Sequence, residues 1–527
     1  MSASAPQAPT APQPQPQAQP GAGPIAPPAP GFPTPANRML VTVCTILATL
    51  MQSLDSTIAN VALPYMQGTM SASQDEINWV LTSYIVAAAI MTAPTGFLAA
   101  RFGRTRLFVT AVVGFTIASA LCSMAQSLGE IVIFRVLQGM FGAALVPLSQ
   151  SVMYELYPPE QRAKAMGLWT MGVMMGPICG PILGGWLTEN YSWRWVFYIN
   201  VPFGVLTAIG LLTFLKESAQ SAAAKLDWLG FGALGLAIGA FQMMLDRGET
   251  LDWFSSREII VEACIAGLCF YIFLVQFFLA PRPFLSPKLF ADRNFTVGAL
   301  LYAIMGLIMY ASLALLAPYL QTLMDYPVLT AGVVLAPRGA GLMVAALICG
   351  RVIGRVNARL LVGAGFMIGA YALYQMTLWT PDIAQSSVIT TGFIQGLSIG
   401  FLAIPINIIA FATLPAAIRT EATSIYSLMR NLGSAIGISI TGALLQTNTQ
   451  VNHAILAADV NPFNRALQAG AAAHFWNPGS IHGAVMLNEE VTRQAAIIAY
   501  IDDFKLMLVL AIIVTPLLLL TRGSQAR

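Results

Sequence analysis

Residues 172 to 186 read Gly-Val-Met-Met-Gly-Pro-Ile-Cys-Gly-Pro-Ile-Leu-Gly-Gly-Trp, an apolar stretch that holds five glycines and two prolines. The glycines at 172, 176, 180 and 184 recur every four residues, so on a helix they form one smooth stripe on which a second helix packs closely. Pro177 and Pro181 each remove a backbone donor and can kink the helix. A bilayer tolerates such a helix where packed neighbours satisfy the freed carbonyls. The stretch therefore predicts a membrane helix with a close partner, and the glycine spacing alone is also typical of a static helix crossing.

The composition of the whole chain excludes a water-soluble globule. Of its 527 residues, 57% are hydrophobic and only 9% are charged, whereas soluble domains carry about 25% charged residues. The mean hydropathy is +0.70. A net charge of +3 does not indicate a nucleic-acid partner. The six cysteines stand in apolar segments without metal-ligand spacing, so we expect neither a metal nor a cofactor. The chain is predicted to be an all-α polytopic membrane protein.

The chain divides into a tail and a series of apolar spans. Residues 1–37 contain twelve prolines and no charge, which predicts a disordered cytoplasmic tail. Fourteen segments after it approach the roughly 20 residues that cross a bilayer. They are 39–63, 78–100, 106–126, 128–153, 163–187, 194–215, 228–246, 258–279, 294–320, 328–350, 358–379, 385–412, 420–446 and 499–521. If the N-terminus is cytoplasmic, seventeen of the 26 lysines and arginines fall inside, so both termini are predicted to be cytoplasmic.

Two motifs occur twice, which predicts two similar halves. Gly96 and Arg101 after the second span recur as Gly350 and Arg355, 254 residues later. The pairs Gln138-Gly139 and Gln395-Gly396 are 257 residues apart. We therefore predict a six-helix half at 38–217, two additional helices at 218–281, and a second six-helix half at 282–522. Parallel halves around a central site are typical of secondary transporters.

One predicted span contains a carboxylate well inside it, at Asp55. A buried charge in a membrane is costly unless it is paired or faces water. At 1.5 Å per residue, Asp55 lies about 12 Å and Arg135 about 10 Å from the outer ends of their helices. We predict that both face one cavity, with Asp55 as a proton carrier that Arg135 holds in its ionised form when close. A permanent structural ion pair is the alternative.

The second half lacks these charges at the repeated positions. Tyr310 stands 255 residues after Asp55, and Gly392 stands three before Gln395 as Arg135 does before Gln138. This asymmetry predicts that the first half couples protons while the second half shapes the substrate site. A gradual change in packing between the two repeats is the alternative explanation. The second half contains two intramembrane arginines, Arg338 and Arg430. Arg430 either faces the cavity or binds backbone carbonyls.

Several motifs together resemble the major facilitator superfamily, and in particular its fourteen-helix drug:proton antiporters of the EmrB/QacA type. The resemblance covers about residues 38 to 522. It is carried by 54–64 in the first span, 96–104 after the second, 135–139 in the fourth and the stretch 172–186. Residues 244–248, 251–254 and 461–464 resemble the EmrB-like members more than the QacA-like ones.

The resemblance implies a major facilitator fold of two six-helix halves plus two central helices, fourteen in all. It implies proton-driven export of amphipathic compounds across the bacterial inner membrane, with no cofactor. It also implies a periplasmic membrane-fusion adaptor and an outer-membrane channel as partners. The antiporter motif would be Gly172, Gly176, Pro177, Gly180, Pro181 and Gly184, and the cytoplasmic gating loop would be Gly96, Arg101, Gly103 and Arg104. Ala100 stands where the loop motif usually has an aspartate, which puts the family's charge relay in doubt.

Polar and soft side chains in the spans are the candidates for the substrate cavity. The polar candidates are Gln52, Asn60, Gln138, Gln395 and Arg430. The soft candidates are Met174, Met175, Met305, Met309 and Phe393, because such side chains adapt to varied apolar ligands.

The segment 447–500 is predicted to be a long periplasmic loop. It holds all three histidines, His453, His474 and His482, whose spacing indicates solvated surface rather than a metal site. This loop and the one at 246–257 are the predicted adaptor contacts.

Other functions fit the sequence less well. Export of one metabolite, such as a siderophore or a fatty acid, is the alternative within transport. A membrane-embedded enzyme would need a Ser/His/Asp, Cys/His or metal constellation in the spans, and a non-transporting sensor would show no flux. The chain has no GxxxxGK[ST] nucleotide loop, which leaves ion gradients as the energy source.

Overall fold

The computed structural model describes residues 35–215 and 227–521, apart from 249, 282, 284, 354, 416–417, 459, 461–475 and 477–479. Nearly all of the predicted tail at 1–37 lies outside the described residues. The part of the chain that is described is built of α-helices, which confirms the predicted all-α class.

The helices follow the order of the predicted spans. The first half contains α1 (Pro35–Met70), α2 (Gln74–Thr92), α3 (Thr95–Phe102), α4 (Arg104–Met124), α5 (Leu128–Gly142), α6 (Leu145–Leu156), α7 (Pro159–Asn190), α8 (Trp195–Tyr198) and α9 (Asn200–Phe214). The two additional helices are α10 (Trp228–Arg247) and α11 (Arg257–Leu279). The second half contains α12 (Pro287–Ala291), α13 (Arg293–Pro318), α14 (Val328–Leu335), α15 (Pro337–Val352), α16 (Ala358–Thr377), α17 (Gln385–Phe411), α18 (Arg419–Ala458) and α19 (Ile481–Val514).

Within the described ranges, twelve helices are long and apolar enough to cross a membrane. Trp79–Thr92 and Thr95–Phe102 add a thirteenth if this pair, bent by 57°, is one span. The predicted span 163–187 lies inside α7, a continuous helix of 32 residues. Each of the fourteen predicted spans therefore coincides with a helix or a broken helix, and the full number of crossings stays a prediction.

The same helix pairs pack together in both halves. Helix α1 lies on α7 as α13 lies on α18, and α2 lies on α5 as α15 lies on α17. Two glycines mark the corresponding crossings, because a Cβ on Gly139 would collide with the backbone of Tyr84 and one on Gly396 with the backbone of Arg338. Arg338 therefore occupies in the second half the place of Tyr84 in the first, 254 residues earlier.

The additional helices bridge the two halves. Helix α10 packs against α11, α2 and α18. The Thr82 hydroxyl of α2 donates to the Asp246 carboxylate at the end of α10. The Ser439 hydroxyl of α18 donates to the Leu245 carbonyl at 2.9 Å. The end of α10 is thus hydrogen-bonded to both halves.

The described parts of the predicted periplasmic loop at 447–500 are mainly the ends of two helices, and the placement of this segment outside the membrane stays a prediction. Helix α18 continues to Ala458 and α19 begins at Ile481, which places His453 and His482 on helices; His474 lies outside the described residues. His453 Nε2 lies 3.0 Å from Asn488 Oδ1 and so joins the two helices. With 40 residues, α18 extends about 60 Å, twice the hydrocarbon thickness. Hydropathy marks where a helix leaves the membrane and not where it ends.

The two halves touch at the end of the bundle that carries residues 96–104, which we call the motif end. Here α6 of the first half meets α17 of the second. The Gln150 amide donates to the Asn407 side chain, and the rings of Tyr154 and Phe411 lie 5.0 Å apart between centroids. Helix α3 packs against α18 at the same end. The motif end is therefore closed.

Candidate functional site

A buried ion pair between Asp55 of α1 and Arg135 of α5 is the centre of the candidate site. Arg135 Nη1 lies 2.6 Å from Asp55 Oδ2, and the two side chains are 1% and 0% exposed. The Gln138 amide donates to Asp55 Oδ1 at 2.8 Å, and the Asn200 amide donates to the same oxygen at 3.2 Å. The carboxylate thus accepts from three side chains on α5 and α9, as a buried charge requires.

The guanidinium of Arg135 is held from several sides. Its Nε donates to the Val80 carbonyl at 2.9 Å, and Nη1 also donates to Gln138 Oε1 at 2.9 Å. Its Cζ lies 4.1 Å from the centre of the Tyr84 ring, which is cation–π geometry. Arginine suits this position because its planar fork makes several fixed hydrogen bonds at once.

Counting residues along the helices correctly predicted that Asp55 and Arg135 lie at one depth, and the structure brings them into contact. Their roles in coupling stay a prediction. In this structure the pair is enclosed within the first half, with side chains 1% and 0% exposed, and the cavity that both were predicted to face stays a prediction. The sequence argument missed Asn200 and also Ser119, whose hydroxyl accepts from both Gln138 and Asn200 at 3.1 Å. A polar side chain in an apolar span, as at Asn200, was the available signal.

The polar residues predicted to line one substrate cavity lie in separate environments. They are Gln52, Asn60, Gln138, Gln395 and Arg430. Gln138 belongs to the Asp55 cluster, Gln52 is half-buried and Asn60 is exposed. Gln395 donates to the Ser312 hydroxyl inside the second half at 2.9 Å. Arg430 is 6% exposed, donates to the Asn431 side chain at 3.1 Å and is hydrogen-bonded to Tyr302 of α13, and its place at a substrate cavity stays a prediction.

A small cavity of about 30 Å³ lies within the second half. Among its lining residues are Met305 and Met309, two of the predicted soft side chains, together with Arg338, Gln395 and Phe366. The volume accommodates a group of the size of one or two water molecules.

The glycine stripe of α7 packs against α1 as predicted. A Cβ on Gly176 would collide with the backbone of Ser53, and one on Gly180 with the side chain of Thr57. The Ser53 hydroxyl donates to the Val173 carbonyl at 2.5 Å. That carbonyl lacks its usual helical donor because Pro177, four residues later, has no N–H. Helix α7 runs without a break through Pro177 and Pro181, whose side chains are outside what the structure describes.

The predicted gating loop turns at a glycine that its backbone requires. Gly103 has φ of 90°, a left-handed conformation that side chains other than glycine rarely adopt. The Arg104 guanidinium forms an ion pair with Glu155. Gly96 lies so close to α18 that a Cβ there would collide with Glu421. Arg101 is exposed. The loop carries Ala100 in place of the usual aspartate, but it has two acidic neighbours, one on α6 and one on α18.

Two further carboxylates of membrane helices are buried, although each is only the fifth residue of its predicted span and not well inside it as Asp55 is. Asp503 of α19 is 1% exposed, and neither of its oxygens has a hydrogen-bond partner among the described residues. Glu262 of α11 is 7% exposed. Helix α19 begins eighteen residues before the predicted span, and burial sets in around Ala495, so Asp503 lies in the packed part of the helix.

No group of three or more histidine, cysteine, aspartate or glutamate side chains that could hold a metal occurs in the described part of the chain.

Two internally similar bundles of apolar helices, with a buried ion pair in one of them and a closed motif end, define a polytopic membrane transporter. Residues 45–438 match the Major Facilitator Superfamily, and the chain belongs to that family.

The likeness to EmrB-type members is confirmed by relatives that match along most of the chain. The probable multidrug resistance protein EmrY of Escherichia coli strain K12 is 35% identical over 480 residues, which cover 90% of this chain and 94% of EmrY. The fatty acid resistance protein FarB of Neisseria gonorrhoeae is 36% identical, with 92% and 96% covered. The multidrug export protein EmrB of Escherichia coli strain K12 is 37% identical, with 82% and 85% covered.

Solved structures show the same fold. The proton:xylose symporter XylE superposes with a TM-score of 0.57 at 14% identity, covering 88% of this chain and 94% of XylE. A bacterial homolog of the human lysosomal transporter Spinster, in an inward-facing and unoccupied conformation, gives a TM-score of 0.54 at 19% identity, with 94% and 100% covered.

Proposed function

We propose that the protein is a proton-driven secondary transporter that exports amphipathic drugs or toxic compounds from the cytoplasm across the bacterial inner membrane by alternating access. The observation that carries this proposal is the buried Asp55 network. A carboxylate inside a membrane protein that is 0% exposed and bonded to an arginine and two amides is costly to maintain, and proton relays are built from such groups.

The network gives the proton a means of changing the structure. Ionised Asp55 accepts hydrogen bonds from Arg135, Gln138 and Asn200 and so ties α1 to α5 and α9. Protonation removes the charge and weakens these bonds, while Arg135 keeps the Val80 carbonyl and the Tyr84 ring. Weaker bonds to α5 and α9 let α1 shift, and α1 transmits this shift to α7 because the two helices are in contact along the glycine stripe. Helix α7 in turn packs on α15 of the other half. Protonation of Asp55 thus alters the balance between the closed motif end and a state open there.

The proton gradient supplies the energy in this scheme, without a cofactor and without an enzymatic reaction. Protons enter from the side opposite the motif end, which we place in the periplasm, with both chain termini in the cytoplasm. The excess of lysine and arginine on the N-terminal side of the membrane supports this orientation.

Asp55→Asn tests the coupling role. In proteoliposomes with an imposed pH gradient, the wild type is expected to export a fluorescent cationic dye and a weakly acidic uncoupler, and the variant to lose at least tenfold in gradient-driven rate. Asparagine keeps the shape and accepts hydrogen bonds but cannot carry a proton. Asp292→Asn is the matched control, because Asp292 caps α13 by accepting from the Phe295 N–H and asparagine caps equally well.

Gradient-driven export at the wild-type rate by Asp55→Asn would move the proton site elsewhere. Absence of flux for both compounds in the wild type would instead favour an exporter of a single metabolite. The relative named fatty acid resistance protein FarB favours a fatty acid as that metabolite.

An adaptor protein and an outer-membrane channel complete the proposed pathway. The extensions of α18 and α19 beyond the membrane, joined through His453 and Asn488, offer a protruding surface for the adaptor. We expect deletion of residues 455–490 to abolish capture of the adaptor from co-expressing membranes while leaving the thermal midpoint of the membrane helices within a few degrees. Undiminished capture by the deletion variant would contradict this assignment.

A further inference from the structure

Arg338 is a buried cation whose counter-charge is missing from the described residues. The side chain lies on α15 and is 5% exposed. Its Nη2 donates to the Met309 carbonyl at 3.1 Å and to the Ser312 hydroxyl at 3.0 Å. Its Nη1 is buried and has no hydrogen-bond partner there, and no described acidic side chain pairs with it. Because a guanidinium stays charged in proteins, an uncompensated one inside a membrane helix bundle is costly.

The first half contains a comparable buried arginine with its acid in place, although at another repeated position: Arg135 is paired with Asp55, whereas the counterpart of Arg338 is Tyr84. Gln138 and Gln395 stand at repeated positions, and each uses its amide to donate across to the helix that begins its half. Gln138 donates to Asp55, whereas Gln395 donates to Ser312. The second half thus also brings a buried arginine and the repeated glutamine together, but on the Ser312 hydroxyl, where Gln138 of the first half meets a carboxylate.

The second half also has space beside these groups. Arg338 and Gln395 both line the cavity of about 30 Å³, whose other walls include Met305, Met309 and Phe366. Gln395 Oε1 is buried without a partner among the described residues. Turning this amide about its terminal bond exchanges oxygen and nitrogen, so that its NH2 group faces this space. The Ser312 hydroxyl, which donates to the Met309 carbonyl at 2.9 Å, then turns to donate to the amide oxygen. A trapped water fits by size but leaves the charge of Arg338 uncompensated.

We propose that Arg338 and Gln395, which both line this cavity, form a binding site for a monovalent anionic group of carboxylate size, which supplies the charge that the second half lacks. Arginine recognises a carboxylate through paired N–H donors. The anion is either the carboxylate headgroup of an amphipathic acid or an inorganic anion such as chloride. Only its assignment to an exported acid rests on the proposed export function, because binding does not require transport.

The test measures thermal unfolding of the full-length protein in nanodiscs of zwitterionic lipid, in a zwitterionic buffer of low ionic strength without added chloride or carboxylate. Chloride and octanoate are titrated separately, with octanol as the uncharged counterpart of octanoate. In the wild type, an anion well above its dissociation constant is expected to raise the midpoint by about 2–5 °C. Ser312→Asp places a carboxylate beside Arg338, as Asp55 stands beside Arg135, and is expected to fold and to lose the anion-dependent rise. Ser312→Asn introduces a side chain of the same shape as aspartate but without its charge, and this variant is expected to keep the anion-dependent rise in the midpoint.

The pattern of shifts identifies the occupant. A rise with octanoate that exceeds those with chloride and octanol, and that is lost in Ser312→Asp only, supports the headgroup of an amphipathic acid. An equal rise with chloride, lost in the same variant, supports an inorganic anion. The proposal is overturned if neither anion shifts the wild type, if Ser312→Asp responds as the wild type does, or if octanol reproduces the whole effect. None of these outcomes depends on whether Asp55→Asn transports.

Discussion

Ser53 makes a proline tolerable inside a membrane helix. Pro177 leaves the Val173 carbonyl without its donor, and Val173 is buried at 3% exposure. The Ser53 hydroxyl of the neighbouring helix donates to that carbonyl at 2.5 Å. A carbonyl deprived of this bond would keep the full cost of burial.

Ser53→Ala is therefore expected to lower the free energy of unfolding by about 1–3 kcal/mol, measured as a lower thermal midpoint in detergent or nanodiscs. Ser56→Ala is the control on the same helix. The Ser56 hydroxyl donates to the Ser53 carbonyl, which belongs to its own helix and to no proline site, so this change is expected to be close to neutral. Equal midpoints for the two variants would show that the Val173 carbonyl does not need Ser53.

At the scale of elements, the contact between α1 and α7 links the ion pair to the boundary between the halves. Glycines at 172, 176, 180 and 184 bring the two backbones together because a Cβ at any of them would meet α1. The same helix α7 packs on α15. A change in the position of α1 is therefore transmitted directly to the interface of the halves.

Gly176→Val is expected to separate α1 from α7, since even a Cβ at this position would overlap the backbone of Ser53. We expect a loss of roughly 1–3 kcal/mol or more in stability and loss of dye export in the fraction that folds. The control is Gly232→Ala in α10, where a Cβ meets no atom within 4 Å and stability is expected to stay level or rise slightly. Wild-type stability and export by Gly176→Val would contradict the close packing.

At the scale of the whole molecule, the structure is one conformation of an alternating-access transporter, the one in which the motif end is closed. The halves meet at the motif end through Gln150, Asn407, Tyr154 and Phe411. Alternating access requires these contacts to separate when that end opens. Of the additional helices, α10 packs on α2 and α18 and α11 packs on α10, so they lie beside the contacts of the motif end.

Linking the halves at the motif end is therefore expected to stop export. In a variant without native cysteines, Gln150→Cys and Asn407→Cys together would be joined by a short thiol-specific bifunctional reagent. Dye export is expected to fall to the background level and to return when the linkage is cleaved by a reducing agent. Each single-cysteine variant treated with the same reagent should keep its rate. Undiminished export by fully linked protein would show that this end stays closed throughout the cycle.

The sequence by itself determined the class of protein and much of its organisation. Apolar length, the excess of cations on one side and the repeated motifs depend only on local composition and spacing, so the helices coincide with the predicted spans. Depth along a helix also follows from residue number, which is why Asp55 and Arg135 were correctly matched. Which side chains meet across helices depends on how each helix is rotated and packed. Only the tertiary structure therefore enclosed Asp55 with Asn200, separated the predicted cavity residues, continued α18 into the predicted loop and left Arg338 without an acid, because these contacts join residues that lie far apart in the chain.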